Sequence, residues 1–133
     1  MGYGGQELSC ATSDEFHPCA RRHGRENPGQ QTQLMFSHVV IFWTDPAQPD
    51  AVEKLIAGAN QYLKGIPGML HFHVGKMASS HRPVVDQSYQ AGLNTVFASK
   101  QAQDEYQVHP QHVEFVEKVF KQVCTKVVIY DFE

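Results

Sequence analysis

Residues 36–43 (FSHVVIFW) constrain this chain more than any other stretch. Successive side chains of an extended strand point to opposite faces. Phe36, His38, Val40 and Phe42 therefore share one face, and Val39, Ile41 and Trp43 share the other. Leaving either face against water would expose a contiguous apolar patch. Such a strand needs two covers, as a strand buried on both sides does. At about 25 cal/mol per Å², hiding some hundreds of Å² is worth several kcal/mol before the cost of association. Helices of the same chain can supply one cover, and a second copy of the chain is the economical source of the other.

The remaining periods fill in the fold. Two prolines and an aspartate in residues 44–49 end the first strand. Val52, Leu55, Ile56, Ala59, Tyr62 and Leu63 follow the spacing of one helical face, with Asp50 and Glu53 placed as a capping box. Gly65 and the pair Pro67-Gly68 stop this helix. A second strand follows over residues 69–76, where Leu70, Phe72 and Val74 alternate with His71 and His73. Residues 77–87 read as a long polar loop. A third strand spans residues 88–97, with Tyr89, Ala91, Leu93, Thr95 and Phe97 on one face. Ser99 caps a short helix that ends at Val108, and Pro110 begins another whose inner side carries Val113, Val116 and Phe120. Residues 123–132 are a β-branched final strand. The order β, α, β, β, broken α, β predicts an α+β domain with a four-stranded antiparallel sheet and its helices on one face.

Length and composition bound the rest. The chain's 133 residues hold one ordinary domain. With 41% hydrophobic and 19% charged residues it reads as globular. A net charge of −3, with both signs interspersed, leaves no basic stripe for phosphates, so nucleic acid is not an expected partner. No apolar run approaches the ~20 residues that cross a bilayer, and no secretory signal is evident, which together predict no membrane partner and a cytoplasmic protein. Residues 1–34 are rich in Gly, Gln, Ser and charge and lack either period, so a disordered N-terminal extension is expected there, with 35–133 as the folded domain. Translation from Met35 is the alternative, and the intact mass from the native host distinguishes the two. Cys10, Cys19 and Cys124 are an odd number and do not suggest a disulfide framework. Cys10, His17, Cys19 and His23 match zinc spacing only loosely. His71 and His73 share a strand face without a third ligand at metal-site spacing, so no metal is expected and the pair reads as solvent-facing or interfacial.

His38-Val39-Val40-Ile41-Phe42-Trp43, the turn Ile66-Pro67-Gly68, Gly75, Phe97 and the segment Tyr106-Gln107-Val108-His109-Pro110-Gln111-His112 resemble, in this order, the pattern of the Dabb family of stress-responsive dimeric α/β-barrel proteins. The Tyr-x-x-His-Pro-x-His segment is the most specific part, and the likeness covers about the last hundred residues. It implies a ferredoxin-like βαββαβ unit, a homodimer whose sheets close into a barrel, and a cavity between sheet and helices in each subunit.

His38 is the first candidate site residue, either facing a ligand from a poorly solvated strand face or hydrogen-bonded within the core. Tyr106, His109 and His112 fall three apart, with a break at Pro110 between them. One reading has the two histidines satisfying backbone groups and pinning that break. The resemblance implies another. In the family's plant polyketide cyclase the residues matching Tyr106 and His112 act together, which would make His112 a base beside a carbonyl and Tyr106 the partner of the enolate oxygen. The sequence departs from that enzyme at Ala91 beside Gln90, where its third-strand histidine would fall, and in the longer loop Ser79-Ser80-His81-Arg82-Pro83. Catalytic roles are accordingly expected of His38, Tyr106 and His112, and ligand contacts of His109, Tyr89 and Arg82. No feature calls for a cofactor. Two functional classes remain open: an enzyme acting on an apolar carbonyl compound by cyclase-type or monooxygenase-like chemistry, and a non-catalytic stress-responsive dimeric module that binds a small molecule.

Overall fold

The computed structural model describes residues 35–133, which form one unit. The expected disordered extension and the loose Cys10, His17, Cys19, His23 grouping lie outside the described residues. Strand β1 (Phe36–Thr44) leads to helix α1 (Ala51–Tyr62), strands β2 (Met69–Lys76) and β3 (Ala91–Phe97), and helix α2 (Lys100–Val108). Helix α3 (Pro110–Phe115) then runs through a π-helical segment (Val116–Phe120) into α4 (Lys121–Val123) and strand β4 (Cys124–Phe132). The sheet is antiparallel in the order β2-β3-β1-β4, the ferredoxin-like arrangement. Among the described residues no helix is long and apolar enough to cross a membrane.

β1 occupies the centre of the sheet, as its two apolar faces require. Its inner residues Phe36, His38, Val40, Phe42 and Thr44 are buried beneath the helices, while Ser37, Val39, Ile41 and Trp43 are half-buried on the outer face. The ladder brings Tyr130, Val128 and Phe132 of β4 to that same outer face, opposite Val39, Ile41 and Ser37. Tyr130 and Phe132 are each 58% exposed, so among the described residues the outer face is apolar and uncovered. The core inside the sheet joins Phe42, Leu55, Leu63, Leu93, Phe97 and Phe115. Each fully buried side chain of this size contributes roughly 1.5–3 kcal/mol.

Helix α1 approaches the π segment at Gly58, where an added Cβ would stand 2.7 Å from Val119 Cγ2. Gly68 supplies the one left-handed backbone conformation among the described residues, φ +93°, at the turn into β2.

Four local expectations are corrected. Asp50 makes no side-chain cap, and its backbone, at φ −100° and ψ 15°, is outside the extended region that capping residues adopt. It pairs with Lys54 instead, and Glu53 reaches across to Lys76 at 2.8 Å. A register shift between Met69 and His71 releases Leu70 from the inner face, leaving it 55% exposed while Met69 packs against the core. β3 begins at Ala91, so alternation does not extend back to Tyr89, which packs edge-on against Trp43 of the outer face at 6.4 Å between centroids. Val113 is 48% exposed because the inner stripe of the last helical stretch is set by Phe115, Val116, Val119, Phe120 and Val123. Val113 lies just outside that stripe.

Candidate functional site

A cavity of about 200 Å³ opens between the inner sheet face and the helices that follow β3. Strand alternation aims His38 into it from β1. Tyr106 enters from the buried side of α2, and His112 from the first turn of α3. The π segment contributes Val116 and Phe120 to the opposite wall, and π-helical turns inside α-helices often mark functional sites. Val40, Phe42, Leu93, Phe115, Val127 and Ile129 complete an apolar lining, and Gln107 joins the three aromatic polar groups.

The break between α2 and α3 sets this geometry. A residue before proline is pushed out of the helical region, and His109 has φ −64° and ψ 139°. Its ring Nδ1 accepts the Gln111 N–H at 3.1 Å, closing the new helix start. Tyr106 and His112 thereby approach with ring centroids 4.8 Å apart, and Tyr106 and His38 lie 5.9 Å apart, both edge-on. Tyr106 is 1% exposed, and its hydroxyl has no partner among the described residues. Tyr106 is one of the residues that line the cavity.

His38 is anchored from the far end of the chain. Its Nδ1 lies 2.6 Å from Asp131 Oδ1, and the register sets the two residues directly opposite across the β1–β4 ladder. With the carboxylate accepting from Nδ1–H, Nε2 is the ring atom left for the cavity. Gln103 Nε2 lies farther from the same ring atom, at 3.4 Å, and donates at 3.0 Å to Gln107 Oε1. Thr95 Oγ1 donates to the His38 carbonyl at 2.7 Å and fixes the backbone beneath the ring.

Burial, reinforced by nearby His38, lowers the pKa of His112 below its ordinary value, against an opposing hydrogen bond with the Gln107 backbone. His112 is therefore a neutral base over a wider pH range than a free imidazole. Burial pushes the Tyr106 phenol above its ordinary value, so it stays protonated as a donor. A lone pair and a hydroxyl thus sit side by side in an apolar enclosure, the pair of groups that proton transfer next to a carbonyl requires.

The structure brings His38, Tyr106 and His112 to one cavity and separates the other three candidates from it. His109 is engaged as the helix cap. Tyr89 lies on the outer face, beside a shallow groove it shares with Val39, Ile41 and His73. Arg82 is exposed in the 77–90 connection, where the Gln87 side chain braces the loop through both polar groups of the Ser80 backbone. His109, Tyr89 and Arg82, from which ligand contacts were expected, are not among the residues that line this cavity. Asp131, Gln103 and Gln107 went unforeseen. Gln107 lies inside the Tyr-x-x-His-Pro-x-His segment and Gln103 one turn before it, so both carried a local signal, whereas Asp131 carried none.

The sequence pattern of the Dabb family, described as a stress responsive A/B barrel domain, matches residues 36–133. A stress-response A/B barrel domain-containing protein of Arabidopsis thaliana, HS1, is 34% identical over 97 residues, 72% of this chain and 86% of its own length. Among solved structures, a Dabb family protein with a ferredoxin-like fold from Mesorhizobium loti is similar with a TM-score of 0.61 at 29% identity, over 74% of this chain and 95% of that one. A dimeric ferredoxin-like protein of unknown function from Thermobifida fusca has a TM-score of 0.61 at 18% identity, over 76% of this chain and 92% of its own. The likeness to the Thermobifida protein is one of fold.

Proposed function

The chain belongs to the Dabb family of stress-responsive A/B barrel domains, and from that premise we propose that it is a homodimer whose subunits each bind a small carbonyl compound and promote its enolisation. The observation that carries this reading is the convergence of His38, Tyr106 and His112 on one cavity that is otherwise apolar. His112 removes a proton from the carbon beside the carbonyl. The electron pair of that C–H bond passes to the carbonyl oxygen, which accepts a hydrogen bond from the Tyr106 hydroxyl. His38, held by Asp131, orients a second polar group of the ligand.

Dimerisation is supported by the outer face, where Val39, Ile41, Trp43, Tyr130 and Phe132 form an apolar surface with no cover among the described residues. The Thermobifida protein of the same fold is dimeric. An Ile41→Glu variant that sediments as a monomer, against a dimeric wild type at micromolar concentration, is the expected outcome.

Ala91 favours a second reading. A methyl group stands on the third strand where the polyketide cyclase that the sequence resembles has a histidine, and a binding module without turnover needs no further base. Screening β-polyketones with wild type and His112→Ala separates the two. The enzyme reading expects turnover that disappears in a variant whose circular dichroism and melting stay intact. Turnover unchanged in that variant would end it, and saturable binding without turnover would leave the module.

A further inference from the structure

We infer that the π segment Val116–Phe120 shapes the cavity: it holds one residue more than a regular helix needs between Phe115 and Val123, and that extra residue turns Phe120 into the cavity wall. The inference rests on the cavity being the ligand site and names the element that decides how large a molecule fits there.

Helical spacing is the first ground. Phe115 and Val123 are 4% and 3% exposed, so both ends of the stretch face the core. They are eight residues apart. Eight residues of regular α-helix advance about 80° beyond two full turns, whereas seven stay within about 20° of them. One residue must be absorbed between the two. The π turn absorbs it, and the Lys121 N–H donates to the Val116 carbonyl, five residues back. A regular helix one residue shorter would still turn both ends to the core, so the core alone does not call for the π turn.

The wall is the second ground. In the present chain Phe120 lies five of eight steps along this stretch, about 80° round from Phe115, whereas in the shorter regular helix it would lie four steps along, about 40° round. Phe120 now packs on Phe42 of β1, with ring centroids 6.0 Å apart, and lines the cavity together with Val116. Swung away by about 40°, it would leave that side of the cavity open.

The facing helix matches this arrangement. Gly58 of α1 is buried, and a Cβ added there would stand 2.7 Å from Val119 Cγ2 of the π segment. A glycine in a helix interior costs about 1 kcal/mol, and π turns are rare. Two locally unfavourable choices that meet at one contact mark a place where function outweighs local stability.

The test reads the cavity with xenon, which binds apolar cavities and involves no carbonyl chemistry. Xenon is titrated into the full chain while the methyl resonances of Val116, Val127 and Ile129 are followed by NMR. Lys118 and Glu117 are both exposed on the π segment, so deleting either one shortens the helix without removing a core side chain. Lys118→Ala removes the same side chain and keeps the length. Wild type and Lys118→Ala are expected to bind xenon alike. Each deletion protein is expected to fold, to lose the Phe42–Phe120 contact in NOE spectra, and to bind xenon at least about fivefold more weakly. A folded deletion protein that binds as wild type does would overturn the inference. Weakened binding in Lys118→Ala would overturn it too, by assigning the effect to the side chain. If neither deletion protein folds, the extra residue serves the fold and the inference is lost. If xenon moves none of these methyl resonances in wild type, the inference and the small-molecule site fall together. The expected xenon pattern without turnover of any β-polyketone would leave the inference standing and remove only the enzyme reading.

Discussion

His38 and Asp131 are 93 residues apart in the chain and directly opposed across the β1–β4 ladder, with Nδ1 2.6 Å from Oδ1. The His38 side chain is 5% exposed, whereas the Asp131 side chain is 43% exposed. One partner is therefore held in the core while the other stands at the sheet edge, where solvent weakens the hydrogen bond but leaves its direction intact. The pair's main effect is orientation: it assigns the proton to Nδ1 and turns Nε2 to the cavity.

Asp131→Asn should release that orientation without removing the strand. An amide can donate to the ring as well as accept from it, so both imidazole tautomers become populated. We expect the His38 ring ¹⁵N shifts to move toward a mixture, with a stability loss of only about 1 kcal/mol because the carboxylate is half exposed. Unchanged ring shifts would show that the ladder alone fixes the imidazole.

Gly58 tests the contact between α1 and the π segment. In a helix interior, Gly→Ala by itself stabilises by about 1 kcal/mol. Here the new Cβ would stand 2.7 and 2.8 Å from the two γ-carbons of Val119, so steric cost outweighs propensity. Gly58→Ala should destabilise by about 1–3 kcal/mol in urea unfolding. Val119→Ala in the same chain should recover a large part of that loss, and a double-mutant cycle with no coupling would place the strain elsewhere.

The uncovered outer face makes a prediction about salt. If Tyr130 and Phe132, each 58% exposed in a single chain, are covered by a second copy, association is driven by apolar burial and not by charge. The dimer should then persist from about 0.05 to 1 M NaCl in sedimentation, because ionic screening acts on charge pairs. Dissociation at high salt would identify an interface held by surface ions instead.

The parts of the fold legible from sequence are those where one short stretch carries its own period. The double apolar face of β1, the stripe on α1 and the Ser99 cap, whose hydroxyl accepts the Ala102 N–H at 3.1 Å, all follow from local spacing. The convergence of Tyr106 with His112 was readable as a motif but not as geometry, since it depends on the extended backbone of His109 at the helix break. Asp131 was not readable at all. Nothing near it distinguishes a strand-end aspartate from a solvated one, and only the register of two distant strands sets it against His38. Leu70 and Tyr89 failed for the same reason in reverse, because strict alternation was carried through a bulge and past the end of a ladder.

Cys124 offers a readout of native burial at the start of β4. Half-burial pushes its thiol up to about 11 from an ordinary 9.0. Only the thiolate reacts with iodoacetamide, so at pH 8 its reactive fraction falls about 100-fold below that of a free thiol. Peptide mapping, which separates Cys124 from Cys10 and Cys19, should find it nearly unmodified in buffer and fully modified in urea. Rapid labelling in buffer would mean that the Thr44–Cys124 end of the ladder opens readily.

His112 should leave its mark on how stability varies with pH. Its folded-state pKa lies below the ordinary 6.5, because burial and His38 both disfavour the charged ring. The unfolded chain therefore takes up a proton that the folded chain resists, and protonation pulls toward unfolding. The stabilisation from a neutral, buried His112 is fully present above pH 6.5 and is lost as pH falls from there through the lowered folded value. Other groups titrate over the same range, so the informative quantity is the difference between wild type and a variant that cannot titrate at this position. His112→Gln keeps a polar side chain and removes the ionisation. Urea unfolding from pH 7.5 down to 5 should show wild type losing more stability than His112→Gln, with the two curves parallel above pH 7. Parallel curves over the whole range would mean that the imidazole is solvated in both states, and the neutral base proposed for the cavity would lose its physical support.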